Sequence, residues 1–290
     1  MSTDLNVGFI GLGAMGQHMA AHLHRAGLLR AVGNRSVAKA EDFASRHAGV
    51  LAAADAGAVA KHCNVIALCV TADADVIDLV QAIAAVAAPD TIVIDHSTVS
   101  SETAKEAAAL MHAADGEFLD APVSGGVEGA RNGKLSVMVG GAVAALERAR
   151  PALDCYAARL SHMGAVGAGQ NTKAVNQVLI AGIAQAVCEG LALGEALGLD
   201  AETLLPTLGA GAAANWFLDK RGATMLCGEY AVGFKLGLLH KDLKIVRELA
   251  RSAGTDRTVI DKSIDDYAAL MALGHGDEDI SALIRLKRPR

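Results

Sequence analysis

An apolar run that turns at once on three glycines opens the chain and limits the folds available to it. Leu5 to Ile10 is apolar and partly β-branched and predicts a buried strand. Gly11-Leu12-Gly13-Ala14-Met15-Gly16 follows directly, and Met19, Ala20 and Leu23 then recur at helical spacing. Strand, tight turn and helix in this order form the first βα unit of a doubly wound sheet. There the first glycine allows the turn, the second lets a pyrophosphate approach the backbone, and the third lets helix and strand pack closely. The N–H groups at the helix start face the phosphates. Residues Gly11 to Gly16 are therefore expected to bind a dinucleotide. The alternative is a glycine turn in some other α/β protein.

A dinucleotide site normally carries Asp or Glu at the end of its second strand, where it bonds the ribose 2′-OH. Here the second strand is expected near Arg30 to Gly33 and ends in Asn34-Arg35-Ser36, with no carboxylate. A guanidinium grips a 2′-phosphate bidentately, and Asn34 and Ser36 can add neutral hydrogen bonds. NADP is expected in preference to NAD. The bland alternative makes Arg35 a solvated residue before a helix that Ser36 caps.

At 290 residues the chain has room for one large or two modest domains. Its apolar share is 52% against only 3% aromatic, which predicts a core of small side chains in close helix contacts. A net charge of −6 offers no electrostatic footprint for nucleic acid. The basic stretch Arg285 to Arg290 reads as a solvated end. No uninterrupted apolar run has the length of a membrane span, and no signal-peptide pattern is evident. The five cysteines are scattered and read as reduced thiols of a cytoplasmic protein.

Strand and helix patterns alternate up to about residue 163. Val65 to Val70, Thr91 to Asp95, Phe118-Leu119 and Leu135 to Val139 predict strands; Asp75 to Ala87 and Ser100 to Ala113 predict helices. Alternation of this kind predicts a mostly parallel sheet with helices on both faces. Val137 to Val139 is also compatible with an antiparallel edge hairpin. Beyond Gly169 no strand signal survives. Asn171 to Leu197 reads as one long helix ended by Gly198, and Asp200 is placed to cap the next. The expected organisation is an α/β dinucleotide-binding domain, residues 1–163, followed by an all-helical domain, residues 164–290. The long helix is too apolar all round for one domain's surface, which predicts a homo-oligomer built on the second domain.

Ligands of open parallel sheets bind outside the carboxyl ends of the strands. Cys69-Val70-Thr71, Asp95-His96-Ser97-Thr98 and Asp120-Ala121-Pro122-Val123-Ser124-Gly125-Gly126 should reach that edge. In the last, Ser124 offers a hydroxyl, and Gly125 and Gly126 can present bare N–H groups to a carboxylate; a plain turn is the alternative. Lys173 opens the long helix, with Asn176 and Gln177 on the same face. A lysine set in a cleft beside amides is a usable proton donor; on spacing alone a solvated surface lysine is the competing reading.

The motifs GFIGLGAMG (8–16), DAPVSGG (120–126), GKLSVMVGG (133–141), GAGQNTKAVNQ (167–177) and HKDL (240–243) give the chain a resemblance to the β-hydroxyacid dehydrogenases. That group includes 3-hydroxyisobutyrate dehydrogenase, tartronate semialdehyde reductase and the glyoxylate/succinic semialdehyde reductases. The resemblance runs from about Val7 to about Leu283. It implies a Rossmann-type domain followed by an all-helical domain that dimerises, and hydride transfer between a nicotinamide and a small carboxylate-bearing substrate. By this resemblance Lys173 would be the catalytic acid/base. Ser124, Gly125 and Gly126 would hold the substrate carboxylate, and Asn176 its carboxylate or hydroxyl. Thr98 and Lys241 would contact the cofactor beside Val70 and Thr71, and Phe234 and Asp242 would close the cleft. Asn34-Arg35 matches the NADP-using members, and Gln177 stands where some members have a second Asn.

His18 and His22 have metal-binding spacing but no third ligand, so no metal is expected. His96 reads as a structural hydrogen-bonding residue, with a cofactor contact as the alternative. Asp265-Asp266 and Asp277 to Asp279 read as solvated charge, and Trp216 and Phe217 as either pocket wall or core. Two other classes compete: an imine reductase on the same architecture, which usually lacks this lysine, and a non-catalytic NADP-binding dimerisation module, which would be expected to lose it.

Overall fold

A computed structural model describes residues 5–289. They form two compact units, one ending at Lys173 and the other starting at Ala174.

In the first unit the chain alternates between strands and helices: β1 (Val7–Ile10), α1 (Gly16–Arg25), β2 (Leu29–Gly33), α2 (Val37–Ser45), β3 (Leu51–Ala52), α3 (Ala56–Ala60), β4 (Val65–Leu68), α4 (Asp73–Ala84), β5 (Ile92–Asp95), α5 (Ser101–Ala113) and β6 (Glu117–Asp120). These strands lie in the order 3-2-1-4-5-6, all parallel. Alternate side chains serve opposite faces, as the pleat requires. Val7, Phe9, Val65, Ala67, Ile92 and Ile94 feed one apolar layer, and Ile10, Ile66, Leu68 and Val93 feed the other. Burial on both faces is why these strands read as continuous apolar runs.

The sheet then changes direction. β7 (Val123–Ser124), α6 (Gly126–Asn132), β8 (Leu135–Gly140), α7 (Val143–Leu153) and β9 (Ala157–Gly164) follow. β8 runs antiparallel to both β6 and β7, which resolves the open choice at Val137 to Val139 in favour of the antiparallel arrangement. β9 pairs with β8 in parallel and was not legible in the sequence. Its residues are only half-buried or exposed, so edge position removed the apolar run that marks the central strands.

α8 (Ala168–Ala196) begins in the first unit and continues into the second, starting earlier than the predicted Asn171. The expected domain break at residue 163 falls at the end of β9, whereas the first compact unit continues to Lys173. By length and composition α8 meets the requirement of a membrane span; 39% of its most apolar window is buried within the structure. The buried residues Ala181, Ala184, Cys188, Leu191 and Ala192 join the core of the second unit.

The second unit adds α9 (Ala201–Gly209), α10 (Trp216–Leu226), α11 (Leu236–Ala253), α12 (Thr258–Ala272) and a 3₁₀ turn (Ile280–Leu286). Asp200 caps α9 by accepting from the Thr203 N–H, and Asn215 caps α10 by accepting from Leu218 N–H. Phe217 belongs to the core, while Trp216 is exposed with the Arg221 guanidinium over its ring.

Two sequence expectations fail in this unit. The basic end is tied down: Arg288 pairs with Glu195 and also donates to the Met225 and Leu226 carbonyls, and Lys287 pairs with Asp266; Arg290 lies outside the described residues. Asp279 is not solvated charge either. It is only 1% exposed and accepts from the N–H groups of Gly233, Phe234 and Ser281 and from the Arg221 guanidinium. Local sequence gave no sign of this, because every donor but Ser281 comes from a distant stretch of chain.

Removing one partner of a buried, hydrogen-bonded charge pair strands the other. Asp279→Ala should therefore lower stability by about 3–5 kcal/mol in urea unfolding followed by far-UV circular dichroism. A loss below about 1 kcal/mol would mean that water replaces the carboxylate without penalty.

Candidate active site

The strand order reverses direction of growth between β1 and β4, and open sheets of this kind bind ligands at that point, outside the strand ends. Gly11 leaves β1 with φ +99°, a left-handed conformation that suits glycine, and a Cβ there would strike the Cys69 carbonyl beyond β4. Gly16 starts α1 so close to the turn that a Cβ would strike the Gly11 carbonyl and lie 2.8 Å from the Phe9 ring. Gly13 is the opposite case: it is exposed, and a Cβ would meet no protein atom within 4 Å. Two glycines thus close the turn, and the middle one leaves open space where a phosphate would approach. Ala14 is exposed, and Met15 precedes α1.

Leu12 N–H donates to Asn34 Oδ1 at 2.9 Å, and Asn34 Nδ2 donates to the Ser36 carbonyl at 3.1 Å. Asn34 therefore ties the end of β2 to the glycine turn. Ser36 stands at the cap position of α2 without a side-chain cap bond. Arg35 is exposed, and among the described residues no carboxylate forms an ion pair with it. A hollow of about 370 Å³ nearby is lined by Leu12, Gly13, Ala14, Gln17, Lys39 and the ion-paired Asp42 and Arg46, among others. Lys39, one turn into α2, is a cation that sequence reasoning passed over; its spacing from Arg35 on a helix start was the available signal. An open backbone turn with Arg35 and Lys39 close to it in the chain fold fits a dinucleotide.

The turns after β4, β5 and β6 are joined to one another. Val70 N–H donates to Ser97 Oγ at 2.9 Å, and Thr71 Oγ1 lies 3.4 Å from Asp75 Oδ2. Thr98 is half-buried between Ser97 and Val99. His96 is buried: its Nδ1 donates to the Ala121 carbonyl at 2.7 Å, and the Tyr156 hydroxyl donates to its Nε2 at 2.8 Å. Its role is structural, as the sequence suggested.

Asp120 ends β6 with no exposed surface, and its carboxylate accepts from Gly167 N–H and Gln170 N–H, both at 2.8 Å. Burial pushes this carboxyl above its usual range, against the pull of those N–H groups. The bonds seat the start of α8 against the sheet. Lys173, one turn further along and 7% exposed, donates from Nζ to the Val123 carbonyl at 2.9 Å. Its amine therefore lies at the peptide joining Val123 to Ser124. Gly125 and Gly126 follow with φ +128° and +61°, so both need glycine. The first unit thus brings together Lys173, Ser124, Gly125 and Gly126.

The remaining expected residues belong to the second unit, where Asn176, Lys241 and Asp242 form a cluster with Gln177. Asn176 Nδ2 donates to Gln177 Oε1 at 2.8 Å, Gln177 Nε2 donates to Asp242 Oδ2 at 2.7 Å, and Lys241 Nζ pairs with Asp242 Oδ1 at 2.9 Å. Both Asp242 oxygens are engaged, so it holds Lys241 and Gln177 in place. Phe234 is half-buried, with its N–H anchored on Asp279. Among the described residues no group of His, Cys, Asp or Glu is placed to hold a metal ion. His22 instead bonds the Ala130 and Arg131 carbonyls. All five cysteines are free; burial pushes Cys63, Cys69 and Cys188 up to about 12, while Cys227 is exposed.

Burial takes His96 from 6.5 down to about 4. As pH falls through 6.5 the unfolded chain takes a proton that the folded chain refuses until about 4, so stability is lost across that window. The loss should approach about 1.4 kcal/mol per pH unit for this group alone. Urea unfolding at several pH values should show a shallower slope for His96→Asn than for wild type. Equal slopes would assign the effect to other groups.

Residues 6–164 match the family model of the NAD binding domain of 6-phosphogluconate dehydrogenase. Residues 167–287 match the family model described as NAD-binding of NADP-dependent 3-hydroxyisobutyrate dehydrogenase. The chain is 37% identical to an uncharacterized oxidoreductase of Shewanella frigidimarina, over 98% of this chain and 99% of that one. It is 31% identical to the NAD-dependent L-serine dehydrogenase of Pseudomonas aeruginosa, over 98% of each. The solved structure of Mycobacterium tuberculosis 3-hydroxyisobutyrate dehydrogenase with L-serine superposes with a TM-score of 0.88 at 31% identity, covering 99% of this chain and 100% of that one. With the glycine turn, the DAPVSGG turn and the helix-start lysine in place, the chain belongs to the β-hydroxyacid dehydrogenase family of oxidoreductases acting on CH–OH donors.

Proposed function

We propose that the protein interconverts a small β-hydroxy acid and its semialdehyde with NADP, using Lys173 as general acid/base. The observation that carries this reading is the buried Lys173 amine at the Val123–Ser124 peptide, in the same unit as the glycine turn. A bound nicotinamide supplies or accepts the hydride. Ser124 and the N–H groups of Gly125 and Gly126 hold the substrate carboxylate, which sets the distance from that anchor to the reacting carbon. The Lys173 ammonium gives a proton to the oxygen as it gains negative charge; in the other direction the neutral amine takes the hydroxyl proton. Serine and 3-hydroxyisobutyrate, named for two relatives, are both β-hydroxy acids with one carboxylate. Tartronate and methylmalonate semialdehydes carry the aldehyde at that same distance; glyoxylate and succinic semialdehyde share the anchor but place the carbonyl one carbon nearer and one further.

Arg35 and the lack of a carboxylate at the end of β2 support NADP over NAD. Turnover of NADPH and NADH against a panel of short semialdehydes and hydroxy acids tests both assignments. Lys173→Ala should keep NADPH binding and lose about 10²–10⁴ in kcat. Arg35→Ala should weaken NADPH by about 10–100-fold, the worth of a charge-assisted bond, and leave NADH nearly unchanged. Near-full turnover of the lysine variant would remove Lys173 as the acid, and an NADH preference in wild type would reverse the cofactor assignment.

The same reading includes a homodimer or homotetramer through the helical unit. In support, α8 exposes Val175, Leu179 and Ile183 at successive helical turns, with Leu193 and Leu197 further on. Light scattering should give at least twice the chain mass; a monomer at micromolar concentration would refute it.

A further inference from the structure

One side chain in the first unit, with no role assigned above, bonds the strand-end turn after β5 at two points. Gln170 is 2% exposed. Its Nε2 donates to the Ser97 carbonyl at 2.8 Å, and its Oε1 accepts from Val99 N–H at 3.2 Å. A single amide therefore holds the peptide groups on both sides of Thr98. Its own N–H donates to Asp120, so the same residue is fixed to the end of β6. Ser97 in turn accepts from Val70 N–H through its hydroxyl, which extends the connection to the turn after β4. Gln170 and Lys173 are three residues apart on α8 and share a helix face.

We propose that Gln170 is a positioning residue for the reaction, a latch that locks the Thr98 turn to the helix start carrying Lys173. The proposal rests on the functional reading given above. The physical reason lies in the two tasks of the site. Proton delivery depends on where α8 places the lysine amine, and the Thr98 turn forms part of the wall at the strand ends. These groups come from stretches of chain far apart in sequence. Hydride and proton transfer are sensitive to misplacement on the scale of an ångström, which costs on the order of 10² in rate. Only a residue with both a donor and an acceptor at the end of a long side chain can hold a carbonyl and an N–H on either side of one residue.

The test compares wild type with Gln170→Met, which keeps length without hydrogen bonds, and Gln170→Glu, which keeps an acceptor for Val99 and loses the donor to Ser97. Amide hydrogen exchange of the segment around 97–100 in ligand-free protein reads the latch without any catalysis. It should speed up by about tenfold or more in both folded variants, while β1 and β4 stay protected. With the best substrate of the panel, kcat should fall by about 10–100-fold with a smaller change in KM. The primary isotope effect with NADPH deuterated at the transferred position should rise, because the transfer step becomes slower. The glutamate variant should lose more than the methionine one, since its second oxygen faces the Ser97 carbonyl.

Unchanged exchange at 97–100 would overturn the latch. Faster exchange with wild-type kcat and isotope effect would make Gln170 structural only and overturn the positioning role, as would failure of both variants to fold. A wild type inactive across the whole panel, with NADPH bound, would remove the functional reading and the kinetic role with it. The exchange rates at 97–100 would then decide by themselves whether the latch exists.

Discussion

The buried Asp120 carboxylate is the interaction on which the arrangement of the first unit depends. It ends a central strand, has no exposure to solvent, and takes two N–H groups from the start of α8. Those N–H groups belong to the residue just before the helix and to its first turn, where the backbone has no internal acceptor for them. The carboxylate therefore satisfies donors that burial would otherwise leave unpaired, and the donors compensate a charge that burial opposes. The location of Lys173 follows from this bond, since the lysine is one turn further along the same helix.

Such a close junction needs small residues around it. A Cβ on Gly140 would strike Asp120 Oδ1 and lie 2.8 Å from the Ala165 carbonyl; one on Gly169 would strike the Met138 carbonyl. The glycine turn after β1 works in the same way, with Gly11 and Gly16 packed on backbone and Gly13 left open. With only 3% aromatic residues, the chain brings its backbones together at many points rather than separating them with large rings. Buried polar groups then do much of the locating. Asp120 and Gln170 do so in the first unit, and Asp279 and Asp242 in the second. Each engages groups on both of its side-chain polar atoms, so it sets orientation as well as distance.

Much of this was legible in the linear sequence. The βα unit at Val7 to Arg25 could be read because strand, glycine turn and helix are contiguous and each carries a local signal. The central strands β4 and β5 stood out because burial on both faces makes them uniformly apolar. Lys173, Ser124 and the paired glycines stood out as candidates because each lies within a short motif. The strand β9 was not legible because an edge strand need not be apolar. Asp279 was misread as solvated charge, and the basic stretch as a solvated end, because their partners lie far away along the chain.

The sequence by itself determined the order of elements, the glycine turn and the residue types available for chemistry, because those depend on local backbone preference and on patterns of burial a few residues long. The tertiary structure decided which of those residues meet. Gln170 looks like any polar residue of a helix start until folding brings Ser97, Val99 and Asp120 to it from other strand ends. Asp242 looks like a surface acid beside a lysine until Gln177 reaches its second oxygen. Hydrogen bonds between distant segments leave no periodicity in the chain, so folding alone reveals them.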